Sequence, residues 1–309
     1  MAMIQTINLT KRYGEHIALS NLNLEIEQGD AFGFIGPHGA GKTTTIKILS
    51  TRLKPTWGEA RIDGLSVGPV NARQVRSIIG YVPDFFGSYE DMVVKEYLEF
   101  FASAYDINGD QRKSVMDDVL ALTDLSHKAE ADVNSLSRGM QQRLSVARVL
   151  LHDPKVLLMD EPASGLDPRA RIEMRELLKE LHRMGKTILI SSHILLELAD
   201  LCNKVGIIEL GELKFVGTTE EMLARARTGN VVHVTVDRTD AAADTLKQMD
   251  GVVGVERGGA ILKVALDDNH TAADIAGRLV HDGFRLLRLE EEQVNLETAF
   301  MRLTKGLVQ

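Results

Sequence analysis

A glycine-rich turn between a predicted buried strand and a predicted helix constrains the fold of this chain more than any other feature. The continuously apolar run 31–35 predicts the strand, and the run 42–53 predicts the helix. The turn fits the pattern GxxxxGK[ST] with Gly36, Pro37, His38, Gly39, Ala40, Gly41, Lys42 and Thr43. In such a loop, backbone N–H groups and the helix N-terminus face the oxygens of a bound phosphate. The sequence therefore predicts a nucleotide-phosphate site.

Four side chains would carry the chemistry of this site. Lys42 would reach the β- and γ-phosphates as a point charge, and the Thr43 hydroxyl would ligate Mg²⁺. A second apolar run, 156–159, predicts another core strand, and Asp160 and Glu161 follow it at the end where open α/β sheets bind ligands. We expect Asp160 to hold Mg²⁺ and Glu161 to polarise the attacking water.

Composition disfavours several other classes of protein. The chain has 309 residues, enough for about two domains, and its 44% hydrophobic and 26% charged residues are typical of a globular protein. No apolar run approaches the roughly 18 residues that cross a bilayer, and we expect no secretory signal. The single cysteine, Cys202, favours a reducing cytoplasm, and a formal charge of −8 argues against nucleic acid as a partner.

The pattern of strands and helices predicts two domains. Strands that alternate with helices predict a wound, mostly parallel α/β domain over residues 1–218, with a helical subdomain at about 85–150. A linker helix is predicted at 219–228. The order strand, helix, strand, strand, helix, strand within 229–309 predicts a small α+β accessory domain of the ferredoxin-like type.

Further motifs connect the chain to a known family. The run 136–143 reads LSRGMQQR and lies just before the carboxylate pair, and the run 164–167 reads SGLD. His193 follows a predicted strand at 187–190, and Tyr13 follows the first predicted strand. Together with the phosphate loop and the carboxylate pair, these motifs have the order and spacing of the ATP-binding subunits of ABC transporters. The sequence resembles that family over residues 1–220.

This resemblance implies a P-loop NTPase fold that hydrolyses ATP with Mg²⁺. Glu161 and His193 would be the catalytic residues, and His193 would also hydrogen-bond the γ-phosphate. Thr43 and Asp160 would hold the metal, with Asp84 as a further candidate ligand. The residues that would bind ATP are Tyr13, stacked on adenine, and Gly36, Pro37, His38, Gly39, Ala40, Gly41, Lys42, Thr43 and Thr44.

The resemblance also implies two head-to-tail subunits that enclose ATP between them, either identical or different. Asp167 would belong to the D-loop, and the signature residues that face the partner's nucleotide would be Ser137, Arg138, Gly139 and Met140. A separate membrane-spanning permease would be the other partner, on the inner face of the cell membrane. The run 80–86 and the extra C-terminal domain are similar to those of bacterial drug and antibiotic exporters.

Three places depart from the family's pattern. His38 stands where Asn or Ser is usual, and we expect its side chain to point outward. Arg138 and Met140 replace a glycine and a glutamine of the signature, and Arg138 would either lie over the partner's nucleotide or face solvent. Asp84 stands where the family has a glutamine; its carboxylate cannot donate a hydrogen bond and would either meet the metal or face solvent.

An aromatic cluster follows Asp84, with Phe85, Phe86, Tyr89, Tyr97, Phe100 and Phe101. The spacing of Tyr97 and Phe101 predicts that they form the core of the helical subdomain. The other end of the cluster, 85–89, is loop-like, and the resemblance implies that this region grips a cytoplasmic helix of the membrane subunit. We therefore expect a docking site there.

Other functions remain as alternatives, foremost a soluble ABC-type ATPase with a regulatory or non-transport role. Ribosome-acting relatives usually carry two ATPase units in one chain, and DNA-repair relatives carry a long coiled coil for which this spacing leaves no room. A GTPase is disfavoured because Gly206 stands where the guanine-reading pattern NKxD, begun by Asn203, requires aspartate. The C-terminal domain could be a regulatory module or a dimer brace.

Overall fold

The chain forms two compact units in a computed structural model, which describes residues 2–85, 87, 91–226, 230–267, 269–291 and 296–304. The first unit is Met1–Thr219 with Leu303–Gln309, and the second is Glu220–Arg302. Within the described ranges, every helix is too short or too polar to cross a membrane.

The first unit combines two sheets with helices on their faces. Its strands are β1 (Ala2–Tyr13), β2 (His16–Glu27), β3 (Ala31–Ile35), β4 (Trp57–Ile62), β5 (Leu65–Ser66), β6 (Ile79–Val82), β7 (Val156–Asp160), β8 (Thr187–Ser192), β9 (Lys204–Glu209) and β10 (Glu212–Gly217). Its helices are α1 (Lys42–Leu49), α2 (Ala72–Ile78), α3 (Val94–Ala104), α4 (Gly109–Leu122), α5 (Arg138–Leu150), α6 (Pro168–Arg183) and α7 (Leu195–Ala199). Single 3₁₀ turns lie at Ser126–Lys128 and Val133–Ser135.

The larger sheet brings the predicted motifs to one edge. Its strand order is β10-β9-β3-β8-β7-β6, in which β10 joins antiparallel and the other strands pair in parallel. Both β3 and β7 are buried along their whole length, which explains their continuous apolar sequences. Because parallel strands end at the same edge, the residues after β3, β6, β7 and β8 emerge together.

Helix α1 links this sheet to the smaller antiparallel sheet, whose order is β2-β1-β4-β5. It packs against β2, β4 and β7, and Ile46 and Leu49 are fully buried in a core shared with Phe32 and Leu158. The helix ends at Leu49 rather than at residue 53 as predicted. The reason is that Thr51 adopts a φ of 62°, in the left-handed region, which a right-handed helix cannot include.

Helices α3, α4 and α5 pack on one another and form the helical insertion. Tyr97 on α3 is fully buried, and its ring centre lies 4.9 Å from that of Phe101 in an edge-to-face contact. The prediction of a helical core is therefore confirmed for Tyr97, while Phe101 is half-buried and packs beside it. Phe86 and Tyr89, which were assigned to the docking site, lie outside the described residues.

The second unit is an α+β fold built on one antiparallel sheet. Its elements are α8 (Thr219–Ala226), β11 (Asn230–Val236), α9 (Thr239–Lys247), β12 (Val252–Gly258), β13 (Ile261–Leu266), α10 (Ala272–His281), β14 (Leu286–Glu291) and α11 (Leu296–Leu303). The strand order is β12-β13-β11-β14, and Leu246, Ile275 and Leu279 from α9 and α10 are fully buried in its core. This arrangement is consistent with the predicted ferredoxin-like order.

Gly206 in β9 gives a test of the packing between β9 and β3. A Cβ at this position would lie 2.7 Å from Phe32 Cζ, closer than van der Waals contact. We expect Gly206→Ala to lower the free energy of unfolding of the first unit by about 1–3 kcal/mol, because a fully buried ring must move. Gly68→Ala is the control, since a Cβ there meets nothing within 4 Å. Urea or thermal unfolding compares the variants, and equal midpoints would contradict the prediction.

Candidate functional site

The loop between β3 and α1 requires glycine at two points. A Cβ at Gly36 would lie 2.2 Å from the carbonyl oxygen of Ile208, and a Cβ at Gly41 would lie 2.6 Å from Leu19 Cδ2. Gly41 also has a φ of 107°, which other residues rarely adopt. The tight loop places the N-terminus of α1, at Lys42, beside the end of β3, as phosphate binding requires.

Lys42 is buried and held in place by three oxygen atoms. Its Nζ donates to the carbonyl oxygens of Gly36 at 2.6 Å and Pro37 at 3.0 Å, and lies 3.5 Å from Glu161 Oε1. Burial lowers the pKa of the Lys42 ammonium, while the charges of Glu161 and Asp160 oppose that shift. The carboxylates behind the loop therefore help to keep this lysine charged.

Asp160 is held by two hydroxyl groups. Thr43 Oγ1 donates to Asp160 Oδ1 at 3.0 Å, and Ser191 Oγ donates to the same oxygen at 2.8 Å. Ser191 Oγ also accepts a hydrogen bond from the backbone N–H of Glu161 at 3.0 Å. Ser191 was not among the predicted site residues, although it lies in register beside Asp160 in the sheet. Only the pairing of β7 with β8 reveals its role.

Glu161 lies between Lys42 and His193. Its Oε2 accepts a hydrogen bond from His193 Nδ1 at 2.9 Å, while its Oε1 faces Lys42. The Glu161 side chain is 13% exposed and that of His193 is 35% exposed, so the pair reaches solvent. The predicted combination of Lys42, Thr43, Asp160, Glu161 and His193 thus converges at one edge of the sheet.

The signature residues lie at the N-terminus of α5 and contact the start of α6. Ser137 caps α5, where its Oγ accepts from the N–H of Met140 at 3.3 Å. A Cβ at Gly139 would lie 2.7 Å from Ala170 Cβ, so only glycine permits this approach of the two helices. Asp167 caps α6, accepting from two backbone N–H groups at 3.0 Å.

Arg138 folds back on its own chain. A Cβ at Gly165 would lie 2.6 Å from the guanidinium carbon of Arg138, so the planar group rests directly on this glycine of the D-loop. The sequence left open whether Arg138 covers a partner's nucleotide or faces solvent. In the structure it contacts the D-loop of the same chain.

Asp84 follows β6, at the edge where the other motifs converge. Its side chain is exposed. Partial desolvation and the charges of Glu161 and Asp160 raise the pKa of the Asp84 carboxyl, while the charges of Arg138 and His193 lower it. Its carboxylate is therefore within electrostatic reach of the Glu161 and Asp160 carboxylates.

Tyr13 and His38 are two further predicted positions. Tyr13 ends β1 with its ring 47% exposed, and Lys11 Nζ lies 5.0 Å from the ring centre. His38 is exposed, in agreement with the expectation that its side chain points outward. Its ring centre lies 5.0 Å from that of His193, because the strands preceding the two residues, β3 and β8, are neighbours in the sheet.

Comparisons with known proteins agree with this geometry. The ABC transporter family profile matches residues 19–164. The Nod factor export ATP-binding protein I of Cupriavidus metallidurans is 35% identical over 303 residues, which cover 98% of this chain and 97% of that protein. The chain belongs to the ATP-binding subunits of ABC transporters. The bacitracin transport ATP-binding protein BcrA of Bacillus licheniformis is 42% identical over 212 residues, covering 68% of each chain.

Solved structures of ATP-binding proteins of ABC transporters match about 70% of the chain. The cbiO1 protein of Clostridium perfringens, part of the ABC transporter complex cbiONQ, aligns with a TM-score of 0.66 and 27% identity over 72% of this chain and 91% of that one. A dimeric ATP-binding cassette bound to ADP and Pi in a post-hydrolysis state aligns with a TM-score of 0.62 and 28% identity over 70% and 98%. The ABC subunit described here is an ATPase.

Ser191 provides a test of this site outside the known motifs. We expect Ser191→Ala to lower kcat for ATP about tenfold, because the N–H of Glu161 and the carboxylate of Asp160 each lose a buried hydrogen bond. ATP affinity should change little, since Lys42 and its loop remain. The measurement is steady-state ATPase activity with a separate nucleotide-binding assay, and Ser77→Ala on the exposed face of α2 is the control. Full activity of Ser191→Ala would contradict the role.

Proposed function

We propose that this ABC subunit hydrolyses ATP to power export through a separate membrane-spanning permease, on the inner face of the cell membrane. The observation that carries the catalytic part is Glu161 held between Lys42 and His193 beside the phosphate loop. Export is supported by relatives that align over nearly their full length. One is the Nod factor export protein described above, and another is the linearmycin resistance ATP-binding protein LnrL of Bacillus subtilis, 29% identical over 306 residues and 98% of each chain. The name of that relative and those of the Nod factor and bacitracin proteins favour export over a non-transport role.

The proposed mechanism assigns one task to each residue. Backbone N–H groups of residues 38–44 and the Lys42 ammonium bind the phosphates of ATP, and Tyr13 offers its exposed ring to adenine. Glu161 Oε2, aligned by His193 Nδ1, accepts a proton from the attacking water. Lys42 then faces the charge that develops on the transferred phosphoryl group.

The oxygen atoms around Asp160 are suitable ligands for Mg²⁺. Thr43 Oγ1 and Asp160 Oδ1 lie 3.0 Å apart, and both are hard oxygen donors beside the phosphate loop. When bound, Mg²⁺ would neutralise charge on the β- and γ-phosphates. Ser191, which also bonds Asp160 Oδ1, would hold the carboxylate in the ligating orientation.

A second ATPase subunit, identical or different, would complete the nucleotide site. Ser137, Arg138, Gly139 and Met140 would present the N-terminus of α5 to the partner's ATP. Since Arg138 rests on Gly165, closing the dimer would move the signature and the D-loop, with Asp167, together.

The permease would dock on the aromatic stretch after β6. Phe85 is 81% exposed, which suits a contact surface rather than a core. Phe86 and Tyr89 remain part of this hypothesis, outside the described residues. We further propose an ATPase domain at 1–218 with a helical subdomain at about 85–150, a linker helix at 219–228 and an accessory domain at 229–309.

The transporter function can be tested by co-expression with a membrane protein encoded beside this chain. Proteoliposomes that contain both should accumulate or release a labelled export substrate only with ATP. Lys42→Ala should abolish both transport and ATP turnover, because the charge facing the phosphates is gone. If the two proteins together hydrolyse ATP but move no substrate through the neighbouring permease, the export assignment is contradicted.

Glu161→Gln tests the catalytic assignment. The amide is isosteric with the acid, so we expect ATP binding to persist while kcat falls at least about a hundredfold, as loss of a general base predicts. The variant should therefore accumulate as an ATP-bound dimer in size-exclusion chromatography. Lys42→Ala is the control and should stay monomeric. If Glu161→Gln turns over ATP at the parent rate, the assignment is wrong.

Asp84→Gln tests whether this carboxylate meets the metal. With Asp84 present, three carboxylates lie near one cation site and repel one another when Mg²⁺ is scarce. We expect the ATPase activity of the parent to fall more steeply when free Mg²⁺ is lowered. The free Mg²⁺ concentration that gives half-maximal activity should be at least about twofold higher for the parent than for Asp84→Gln. Superimposable Mg²⁺ titrations would mean that Asp84 does not contact the metal.

A further inference from the structure

His38 and His193 are brought together by the topology of the sheet. Ile35 at the end of β3 lies in register with Ser192 at the end of β8, and the two strands are parallel neighbours. The chain leaves both strands at the same edge. The imidazole rings consequently meet, with centres 5.0 Å apart and planes tilted by 37°. Aromatic rings in contact have centres about 4.5–7 Å apart, so the distance is that of a direct ring contact.

The backbone that carries His38 is held firmly. The carbonyl oxygen of Pro37, the preceding residue, accepts a hydrogen bond from Lys42 Nζ at 3.0 Å and another from the N–H of Ala40 at 3.2 Å. His38 is exposed as a residue, yet its ring projects from a loop that cannot readily swing away. The backbone from which the ring projects is therefore held, and the ring itself contacts His193.

His193 needs such a neighbour because one hydrogen bond does not fix a ring plane. Its Nδ1 donates to Glu161 Oε2 at 2.9 Å, which sets one nitrogen but allows the imidazole to rock about that bond. The side chain is 35% exposed, so packing on other sides is incomplete. A second contact from His38 restricts the ring orientation, and with it the direction of Nε2, the nitrogen that remains for a phosphate oxygen.

We infer that His38 is a positioning residue: its ring packs against His193 and holds the imidazole with Nδ1 on Glu161 and Nε2 aimed into the nucleotide site. The expected effect of His38 on ATP hydrolysis rests on the proposed function. The ring contact itself does not. The phosphate loop thus supports His193 in two ways. His38 contacts the His193 ring directly, and Lys42 contacts Glu161, which in turn bonds His193.

Imidazole nitrogen NMR tests the ring contact without nucleotide. The chain has nine histidines, and His193→Gln identifies the signals of His193 in protein labelled with ¹⁵N-histidine. The parent should show one sharp pair of imidazole nitrogen signals for His193, with a proton on Nδ1. In His38→Ala we expect a shifted or exchange-broadened signal, whereas His38→Phe, which keeps a ring, should stay close to the parent. Identical His193 signals in the parent and His38→Ala would overturn the inference.

Steady-state ATPase kinetics test the consequence. His38→Ala should lower kcat about threefold to tenfold with the KM for ATP within about twofold, as expected for a misplaced ring rather than lost phosphate binding. His38→Phe should recover a substantial part of the lost kcat. The control is His127→Ala, an exposed histidine of the helical insertion. Equal losses in the Ala and Phe variants, or a change confined to KM, would refute positioning. Because the NMR result needs no hydrolysis, it separates this failure from failure of the proposed function.

Discussion

The in-register parallel pairing of β3, β8 and β7 is the constraint on which the site depends. It aligns Ile35 with Ser192 and Asp160 with Ser191, so three chain segments leave the sheet at one edge within side-chain reach of one another. A shift by one residue would turn every side chain to the opposite face of the sheet. All three strands are buried along their whole length, so the polar residues at their ends emerge from a packed apolar interior.

Burial of a lysine explains the distribution of charge at this edge. Removing the Lys42 ammonium from water favours its neutral form, and the nearby Glu161 and Asp160 carboxylates oppose that tendency. Glu161 in turn has one oxygen toward Lys42 and the other on His193. The Glu161 carboxylate is thus fixed from two sides, and in the proposed mechanism this preorganisation would stabilise developing charge without rearrangement during the reaction.

Local patterns in the sequence predicted much of this arrangement, because the phosphate loop and the strand-end carboxylates are short motifs with their own geometry. The glycines at 36 and 41, Lys42, Thr43 and Asp160 all follow from that spacing. Ser191 and the ring contact of His38 could not be foreseen, since each depends on which strands are neighbours. The early end of α1 was also missed. The left-handed conformation that ends the helix is adopted by Thr51 and not by a glycine, so the sequence contains no signal for it.

The two charged departures from the family's pattern are best understood together. Asp84 adds a negative charge close to Glu161 and Asp160, and these carboxylates raise its pKa. Arg138 adds a positive charge where the family has glycine, and that charge is among the influences that lower the pKa of Asp84. Because Gly165 has no side chain, the guanidinium can rest on the D-loop. One departure from the family's pattern therefore offsets part of the charge that the other introduces at this edge of the sheet, and the charge of His193 acts in the same direction as that of Arg138.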